Sequence, residues 1–254
     1  MSLFSAMRAS RLSLVLTPTK RQQNMIYAER TKQYLLHRKV SENTKVLVDA
    51  ADEIAYHPSS WNKDGELIAA ARVLPLCESV KSDAELYVGW PEWFPERSNC
   101  ADVSRLIVVR SEKNIKTMES IFRGMVICAL KGDRRYITGY CTKSLMKFYK
   151  ENLDAKFSKE GFSHKELNGL EHFLFYADME AVLRLRSSIP FLSWLSIWAR
   201  TTLVYKKFLS KDTRSTSIVL HIAILGQIMT NNVYIFFSNK QKFMNSTLSS
   251  RVSR

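Results

Sequence analysis

Glycine is scarce in this sequence: only eight of its 254 residues are glycine, and no two of them stand two positions apart. A loop that wraps a phosphate with its backbone N–H groups usually needs closely spaced glycines before a helix, because a side chain would block the approach. Residues 111–116, at the start of a helix predicted near residues 115–130, contain none. The sequence therefore shows no evident grip for a pyrophosphate, and we predict no bound cofactor.

Cysteine is equally sparse, with four residues, no Cys-x-x-Cys pair and no histidine at ligand spacing, which argues against a zinc site. Sparse cysteine suits a reducing compartment, so we predict a cytoplasmic protein. Cys128 lies in an apolar run, residues 125–130, and is predicted to be a buried structural thiol. His172 is predicted to be a strand residue rather than a base. Because no Ser-His-Asp or Cys-His arrangement is visible, we assign neither a nucleophile nor a metal.

Acidic residues are nearly absent from the two ends of the chain. Residues 1–24 carry a charge of +4 and residues 187–254 carry +8, which leaves +2 of the net +14 for residues 25–186. A nucleic-acid-binding domain would more often carry its basic face on the folded body. We therefore predict that the protein does not bind nucleic acid, despite its basic composition.

These shifts in composition divide the chain into three predicted segments: a basic N-terminal arm or first strand (1–24), a main domain (25–186) and a basic, apolar C-terminal extension of unknown role (187–254). The first segment has three alternatives: an organelle presequence, a disordered arm, or a strand at residues 13–16. The strand is favoured. Met25 is predicted to open an amphipathic helix.

The C-terminal extension contains two apolar runs, residues 191–198 and 218–237. The second run includes His221, Gln227 and Asn231, and polar groups at the centre of a bilayer are costly, so a membrane-spanning helix is disfavoured. Two alternatives stay open. The extension could lie on an anionic membrane surface, which would make the protein membrane-associated, or pack against the main domain.

Paired acids precede a predicted hairpin in the main domain. Asp49 and Asp52 come first, then the turn signal Asp64-Gly65, then a strand-like run at residues 66–75 that contains Arg72. Asp-Gly between two strand-like segments is a common hairpin turn. Further strands are predicted at residues 136–141 and 171–178, on either side of a helix at residues 142–153.

A second charged motif opens another strand, at residues 102–110. Asp102, Ser104 and Arg105 lead directly into β-branched apolar residues. Burying an unpaired acid or base is costly, so the motif is unusual at the start of an interior strand. Three interpretations follow: Asp102 and Arg105 form an ion pair in a cleft, they hold a charged substrate, or they are an ordinary surface pair.

The order of these motifs resembles that of the acyl-homoserine-lactone synthases and the N-acyl amino acid synthases, which share the Gcn5-related N-acyltransferase fold. The matching pieces are the paired acids, Arg72-Val73-Leu74-Pro75 and Asp102-Val103-Ser104-Arg105, across roughly residues 25–180. The resemblance implies an α/β protein, a three-layer α-β-α sandwich whose central sheet is mixed and mostly antiparallel. Asp102 stands where glutamate is usual, and the first helix keeps Arg30 but lacks the tryptophan that follows in the lactone synthases. These departures favour an N-acyl amino acid synthase.

The resemblance also implies roles for individual residues. The predicted catalytic residues, which orient the acceptor amine and help to remove its proton, are Asp49, Asp52, Asp102 and Arg105. The predicted substrate-binding residues are Arg30, Arg72, Trp93, Phe94, Ser104, Leu106 and Ile107. In that fold the central strand splays from its neighbour, and a backbone N–H near Leu106 or Ile107 could polarise a thioester carbonyl. Arg72 or Arg105 could bind an acceptor carboxylate. Trp93 and Phe94 would wall an acyl pocket or fill plain core.

The predicted function is the transfer of a fatty acyl chain from an acyl-carrier-protein thioester to the amine of an amino acid or related small molecule. The missing glycine loop favours acyl carrier protein over coenzyme A as donor. The basic residues that could face this acidic partner, or form a solvated surface, are Lys113, Lys116, Arg123, Lys131, Arg134 and Arg135. The alternatives are a lactone-signal synthase, a coenzyme A-dependent acetyltransferase, and a non-enzymatic module that binds an acyl carrier or a membrane surface.

Overall fold

The computed structural model describes residues 12–37, 39–43, 45–109, 115–164, 167, 169–190, 194, 198 and 201, without the side chains of 115 and 116. The chain divides into two compact units, Met1–Ile189 and Pro190–Arg254. In the second unit, the Trp194 and Trp198 N–H groups donate to the carbonyls of Pro190 and Trp194, as in a helix. The predicted run at 218–237 lies outside the described residues. No helix in the described part is long and apolar enough to cross a membrane.

The first unit combines eight strands with six α-helices in its described part. The strands are β1 (Ser13–Val15), β2 (Ser59–Trp61), β3 (Leu67–Pro75), β4 (Cys100–Val108), β5 (Tyr136–Cys141), β6 (Lys156–Phe157), β7 (Phe162–His164) and β8 (Leu170–Asp178). The helices are α1 (Lys20–Leu36), α2 (Ala51–Ile54), α3 (Glu85–Val88), α4 (Ile115–Lys131), α5 (Lys143–Leu153) and α6 (Met179–Leu183).

The strands form one sheet in the order β1-β2-β3-β4-β5-β8-β6, with β7 also paired to β8. Strands β4 and β5 run parallel, and the other pairs are antiparallel. This confirms the predicted α/β architecture with a mixed, mostly antiparallel sheet. The parallel pairing of β4 with β5 ends at Val103 and Gly139, so the second half of β4 lies beyond the last pair.

Local sequence signals explain where the first elements begin. Thr19 caps α1: its hydroxyl accepts from the Gln22 N–H and the Gln22 side chain accepts from the Thr19 N–H, a capping box. The helix therefore begins at Lys20, and the prediction that it opens at Met25 is wrong by five residues. It also spans the predicted segment boundary at residues 24 and 25. The hairpin turn before β3 follows the Asp-Gly signal, with Gly65 at a φ of 78°.

The two faces of the sheet carry different helices. On one face, Ala70 and Ile107 pack with Ile26 of α1 in one apolar cluster. On the other face, the Ser60 hydroxyl bonds that of Ser120 in α4. The aromatic rings of Phe122 in α4, Tyr149 in α5 and Phe175 in β8 extend this second face, through Phe122–Tyr149 and Tyr149–Phe175 contacts. The predicted three-layer order, helices on both sides of a sheet, follows from these contacts.

A bulge in β4 separates its two halves. Arg72 pairs with Ser104 and Ala70 pairs with Ile107, so Arg105 and Leu106 together stand opposite Ala71. Arg105 has a φ of 55°, in the left-handed region that non-glycine residues seldom adopt. Such backbone strain is typical of positions where a side chain is re-aimed for function.

Candidate functional site

Arg72 and Ser104 meet at the centre of the site because the antiparallel register places them opposite each other on β3 and β4. The Arg72 Nε donates to the Ser104 hydroxyl at 3.1 Å. The Arg72 side chain is fully buried, and burial alone would lower its pKa. Nearby carboxylates, first that of Asp83, outweigh this effect and raise the pKa above its ordinary value. A buried guanidinium with such partners stays charged.

Asp49 joins the two arginines of the central strands. Its carboxylate accepts from Arg72 Nη1 at 2.7 and 2.8 Å and from Arg105 Nη2 at 3.1 Å. Partial burial would raise the pKa of Asp49, but the guanidinium of Arg72, followed by that of Arg105, lowers it below the ordinary value. The Asp49 side chain is 38% exposed, so an ionised carboxylate lies at the open side of the site.

Asp83 is a member of the site that the sequence motifs did not indicate. It lies just before α3 and accepts from Arg72 Nη2 at 2.8 Å, while its second oxygen lies 3.3 Å from Arg105 Nη2. The residue belongs to the segment between the two strand motifs, and its neighbours signal only a helix start. Its role depends on the path of that segment over the sheet, which no short pattern encodes.

A second ion pair lies deeper, between α1 and α2. Arg30 Nη1 donates to both carboxylate oxygens of Asp52 at 2.9 Å, and both side chains are 1% exposed. Asp52 also accepts from the backbone N–H of Asp49 at 3.1 Å, which fixes the two predicted acids relative to each other. His57 lies 2.9 Å from the Asp52 carbonyl, and burial lowers its pKa, so it favours the neutral form. The sequence motifs did not indicate His57 either.

Asp102 is buried without the predicted partner. Arg105 pairs with Asp49 and Asp83, and no described residue has a properly formed hydrogen bond to either Asp102 oxygen, although the Ser104 hydroxyl lies close enough to lower its pKa. Burial, then the charge of Asp83, raises the pKa of Asp102 to about 7. Of the three interpretations of this motif, the surface pair and the direct ion pair are therefore wrong.

A cavity of about 800 Å³ lies beside the second half of β4, beyond the last pair of β4 with β5. It is lined from both faces of the sheet, and its walls are mostly apolar. The lining residues are Gln33, Tyr34, His37, Lys39, Leu106, Ile107, Val108, Met118, Leu145 and Phe148. The predicted Leu106 and Ile107 thus lie in the cavity wall, one and two residues along the chain from Arg105. The cavity therefore adjoins the charged residues at the bulge of β4, where Leu106 follows Arg105.

Trp93 and Phe94 lie elsewhere. Their rings pack on Tyr176 of β8, at centroid distances of 5.6 and 5.7 Å, and on each other. Neither residue lines the cavity among the described residues. The structure therefore brings together nine of the eleven predicted site residues in one region and leaves these two aromatics covering the sheet beside β5.

Two residues of the predicted basic surface are engaged in contacts within the protein. Arg134 donates to the carbonyls of Gly132 and Leu76, and Arg135 is ion-paired with Asp178 at 2.6 Å. Residue 113, and the glycine-free segment at 111–114, lie outside the described residues. Cys128 is buried as predicted, and burial raises its pKa to about 12. In the described part of the chain, no three His, Cys, Asp or Glu side chains are grouped to hold a metal ion.

Comparisons with known proteins identify the fold. No protein-family model and no curated protein sequence matches this chain. FeeM, an N-acyl amino acid synthase from uncultured soil microbes, is 12% identical, with a TM-score of 0.52 over 77% of this chain and 99% of its own. The AHL synthase LasI is 13% identical, with a TM-score of 0.52 over 67% and 91%. TofI, solved in a ternary complex with an inhibitor and MTA, is 15% identical, with a TM-score of 0.53 over 67% and 92%. The chain has the N-acyltransferase-like fold of these structures.

Proposed function

We propose that this protein is an N-acyltransferase that moves a fatty acyl chain from an acyl-carrier-protein thioester to the amine of an amino acid or related small molecule. One observation carries the proposal: at the bulge of β4, a mostly apolar cavity adjoins a cluster of three arginines and four aspartates, five of which are buried. We call this set the charged cluster. Its members are Arg30, Asp49, Asp52, Arg72, Asp83, Asp102 and Arg105.

The cavity suits the acyl chain of the donor. Its volume of about 800 Å³ lies within the usual range of small-molecule sites, roughly 300–1,000 Å³, and its walls are largely apolar. It is lined by residues of α1 on one face of the sheet and of α4 and α5 on the other, beside the part of β4 that no longer pairs with β5. A thioester at the bulge would place its alkyl chain in the cavity and its carbonyl beside the backbone of Leu106 and Ile107. Backbone N–H groups there would stabilise the oxyanion that forms when the amine attacks.

The charged cluster suits the amine. Asp49 is its most exposed carboxylate and can receive an ammonium group from solvent. If all members are ionised, four carboxylates face three guanidinium groups, so a bound ammonium completes the charge balance. The amine must lose a proton before it attacks, and a base with a pKa near neutrality is best suited to accept it. Asp102, with its pKa near 7, fits this requirement.

The proton would reach Asp102 indirectly, because both of its oxygens are buried. Ser104 lies between Asp102 and Arg72 on the same face of the sheet, and its hydroxyl or a water molecule could relay the proton. No covalent enzyme intermediate is needed, since the amine attacks the thioester directly. The thiol of the donor leaves with the proton that the collapsing intermediate supplies.

The direct test is acyl transfer by the purified protein. An acyl-carrier-protein thioester and a panel of amino acids and simple amines are incubated with the wild type, and N-acylated products and free thiol are both measured. The proposal expects an amide product and thiol in equal amounts. Thiol release at the rate of buffer alone with every amine would refute it and favour a non-enzymatic binding module.

The predicted cytoplasmic location, the division at residues 24 and 186, and peripheral membrane contact through residues 187–254 stay predictions. Fractionation of cells that express the full chain, beside a variant truncated after residue 189, tests the membrane contact. We expect the full chain alone to appear in the membrane fraction, because its excess of basic residues suits an anionic surface.

A further inference from the structure

The two arginines on the central strands are already occupied by carboxylates of the protein itself. Arg72 donates through Nη1 to Asp49, through Nη2 to Asp83 and through Nε to Ser104. Arg105 uses Nη2 for Asp49 and lies within ion-pair distance of Asp83. A free amino acid is usually held by its carboxylate on such a guanidinium group. Here Nη1 and Nη2 of Arg72 and Nη2 of Arg105 carry aspartate, while the Nε of Arg105 is buried and has no hydrogen-bond partner among the described residues.

The solvent exposure of these side chains also argues against the binding of an acceptor carboxylate. Arg72 is 0% exposed and Arg105 is 7% exposed, whereas Asp83 and Asp49 are 15% and 38% exposed. A molecule that enters from solvent therefore meets carboxylates first, with the guanidinium groups behind them. This surface attracts an ammonium group. It repels a second anion, which would have to displace an aspartate from a charge-assisted contact.

We propose that the acceptor is an amine without a free carboxylate beside it, such as an amino-acid amide, ester or lactone, and that Asp83 is the residue that excludes the free acid. This inference rests on the proposed acyl transfer and narrows its acceptor class. Asp83 fills the position of the missing carboxylate because its two oxygens bridge Arg72 and Arg105 as an acceptor carboxylate would. Specificity here arises from repulsion as well as attraction.

The role of Asp83 can be tested separately from that of Asp49, because the two acids reach the arginines from different segments. Asp49 is tied to Asp52 through its backbone and belongs to the same cluster of predicted acids. Asp83 reaches the arginines from the segment before α3, and its replacement by asparagine keeps size and shape while removing the charge. Without that charge, Asp49 would be the one carboxylate among the described residues that still contacts both guanidinium groups. The pair would then be ready for an acceptor carboxylate.

The experiment compares matched acceptors that differ only at the carboxyl group: a free amino acid, its carboxamide and its methyl ester, with homoserine beside homoserine lactone. Binding is measured by calorimetry on the full chain, and acyl transfer is measured as kcat/KM with one acyl-carrier-protein thioester. We expect the wild type to favour the masked acceptors by about 10-fold or more, the size of one charge-assisted contact. Asp83→Asn should shrink or reverse that ratio by a similar factor.

Glu78→Gln is the matched control, because it removes one negative charge from an exposed residue five positions earlier and should leave the ratio unchanged. Thermal melts confirm that each variant is folded. If Asp83→Asn does not fold, the wild-type ratio alone still decides the acceptor class. Equal or better binding of free amino acids by the wild type overturns the inference, and an unchanged ratio in a folded Asp83→Asn overturns the role of Asp83.

Binding separates this inference from the proposed function. If masked amines bind and free acids do not, but no product forms with any thioester, the proposed transfer fails while the acceptor preference stands. If free amino acids are acylated efficiently, the proposed transfer stands and the acceptor preference fails. Binding of neither class refutes both.

Discussion

The two faces of the central sheet are both buried, yet they are built from different chemistry. Toward α1 and α2 the sheet presents Arg72, Asp102 and Ser104, with two further buried ions in Arg30 and Asp52. Toward α4 and α5 it meets apolar and aromatic side chains, with the hydroxyl pair of Ser60 and Ser120 as a polar contact. Stability alone favours the second composition, because buried ions lose much of their mutual attraction to desolvation. The first face is therefore better explained by function.

The cavity is lined from both faces of the sheet. Tyr34 of α1 lines it from the charged side, and Met118 and Phe148 of α4 and α5 line it from the apolar side. This is possible because the pairing of β4 with β5 stops at Val103 and Gly139. A substrate with a long apolar chain and a reactive polar head would use both compositions at once.

Arg72→Ala should destabilise the protein most. It removes a fully buried guanidinium that pairs with both Asp49 and Asp83 and leaves these carboxylates with Arg105 alone, and breaking a buried ion pair typically costs about 3–5 kcal/mol. Arg135→Ala, at an exposed pair with Asp178, is the control and should cost about 1 kcal/mol or less. Chemical denaturation of both variants measures the difference. Similar losses in the two would mean that the charged face is no more tightly coupled than the surface.

Arg105→Ala should lower activity strongly, with a smaller loss of stability than Arg72→Ala. Asp49 and Asp83 keep their contacts to Arg72, so neither carboxylate is left without an ion-pair partner. Loss of a positioned charged donor next to the reacting groups commonly lowers kcat by about 10²–10³-fold. Arg105→Lys tests whether charge alone suffices, and Arg184→Ala, at an ion pair with Glu180, serves as the control. A folded Arg105→Ala with wild-type kcat/KM would remove Arg105 from the site.

Asp102→Asn should stabilise the protein selectively as pH rises. The pKa of Asp102 is about 7 when folded and about 3.9 when unfolded, so the native state holds the proton more tightly. The wild type therefore loses stability through this group from about pH 4 to pH 7, and the variant does not. Between pH 5 and pH 7, the unfolding free energy of the variant should rise by about 2–3 kcal/mol relative to that of the wild type.

Activity supplies the second half of this test. Wild-type kcat should rise with pH through an apparent pKa near 7, because the ionised carboxylate is the proposed base, and Asp102→Asn should lack that rise. Parallel stability curves for the two proteins would show that Asp102 titrates normally. A retained rise in kcat would assign the base to another group.

Much of the fold could be predicted because its patterns are local. The helix at 115–130, the strand at 136–141 and the helix at 142–153 are confirmed as α4, β5 and α5, and β8 confirms the strand at 171–178. Strand β1 lies within the favoured segment at 13–16. The true start of α1 was also readable, since Thr19-x-x-Gln22 is a capping box.

The site was harder to predict because two of its features are tertiary. In a regular strand, Asp102 and Arg105 would point to opposite faces, since they are three residues apart. The bulge at Arg105 turns its side chain toward Asp49 and Asp83, and no residue in the motif signals a bulge. Asp83 itself depends on how the segment between β3 and β4 folds back. The sequence thus indicated both arginines and Asp49 as members of the site, but neither Asp83 nor the way in which the ions pair.

The smallest expected effect concerns the choice of acyl donor at the mouth of the cavity. We predict that an acyl-carrier-protein thioester is used about 10-fold better than the coenzyme A thioester of the same chain, because residues 111–116 lack the glycines of a pyrophosphate loop. Rising salt should reduce the preference, since exposed charge pairs are screened beyond about 8–10 Å. Lys131→Glu, at an exposed residue of α4, should reduce it at low salt only. Equal kcat/KM for the two donors would show that the scarcity of glycine does not govern donor choice.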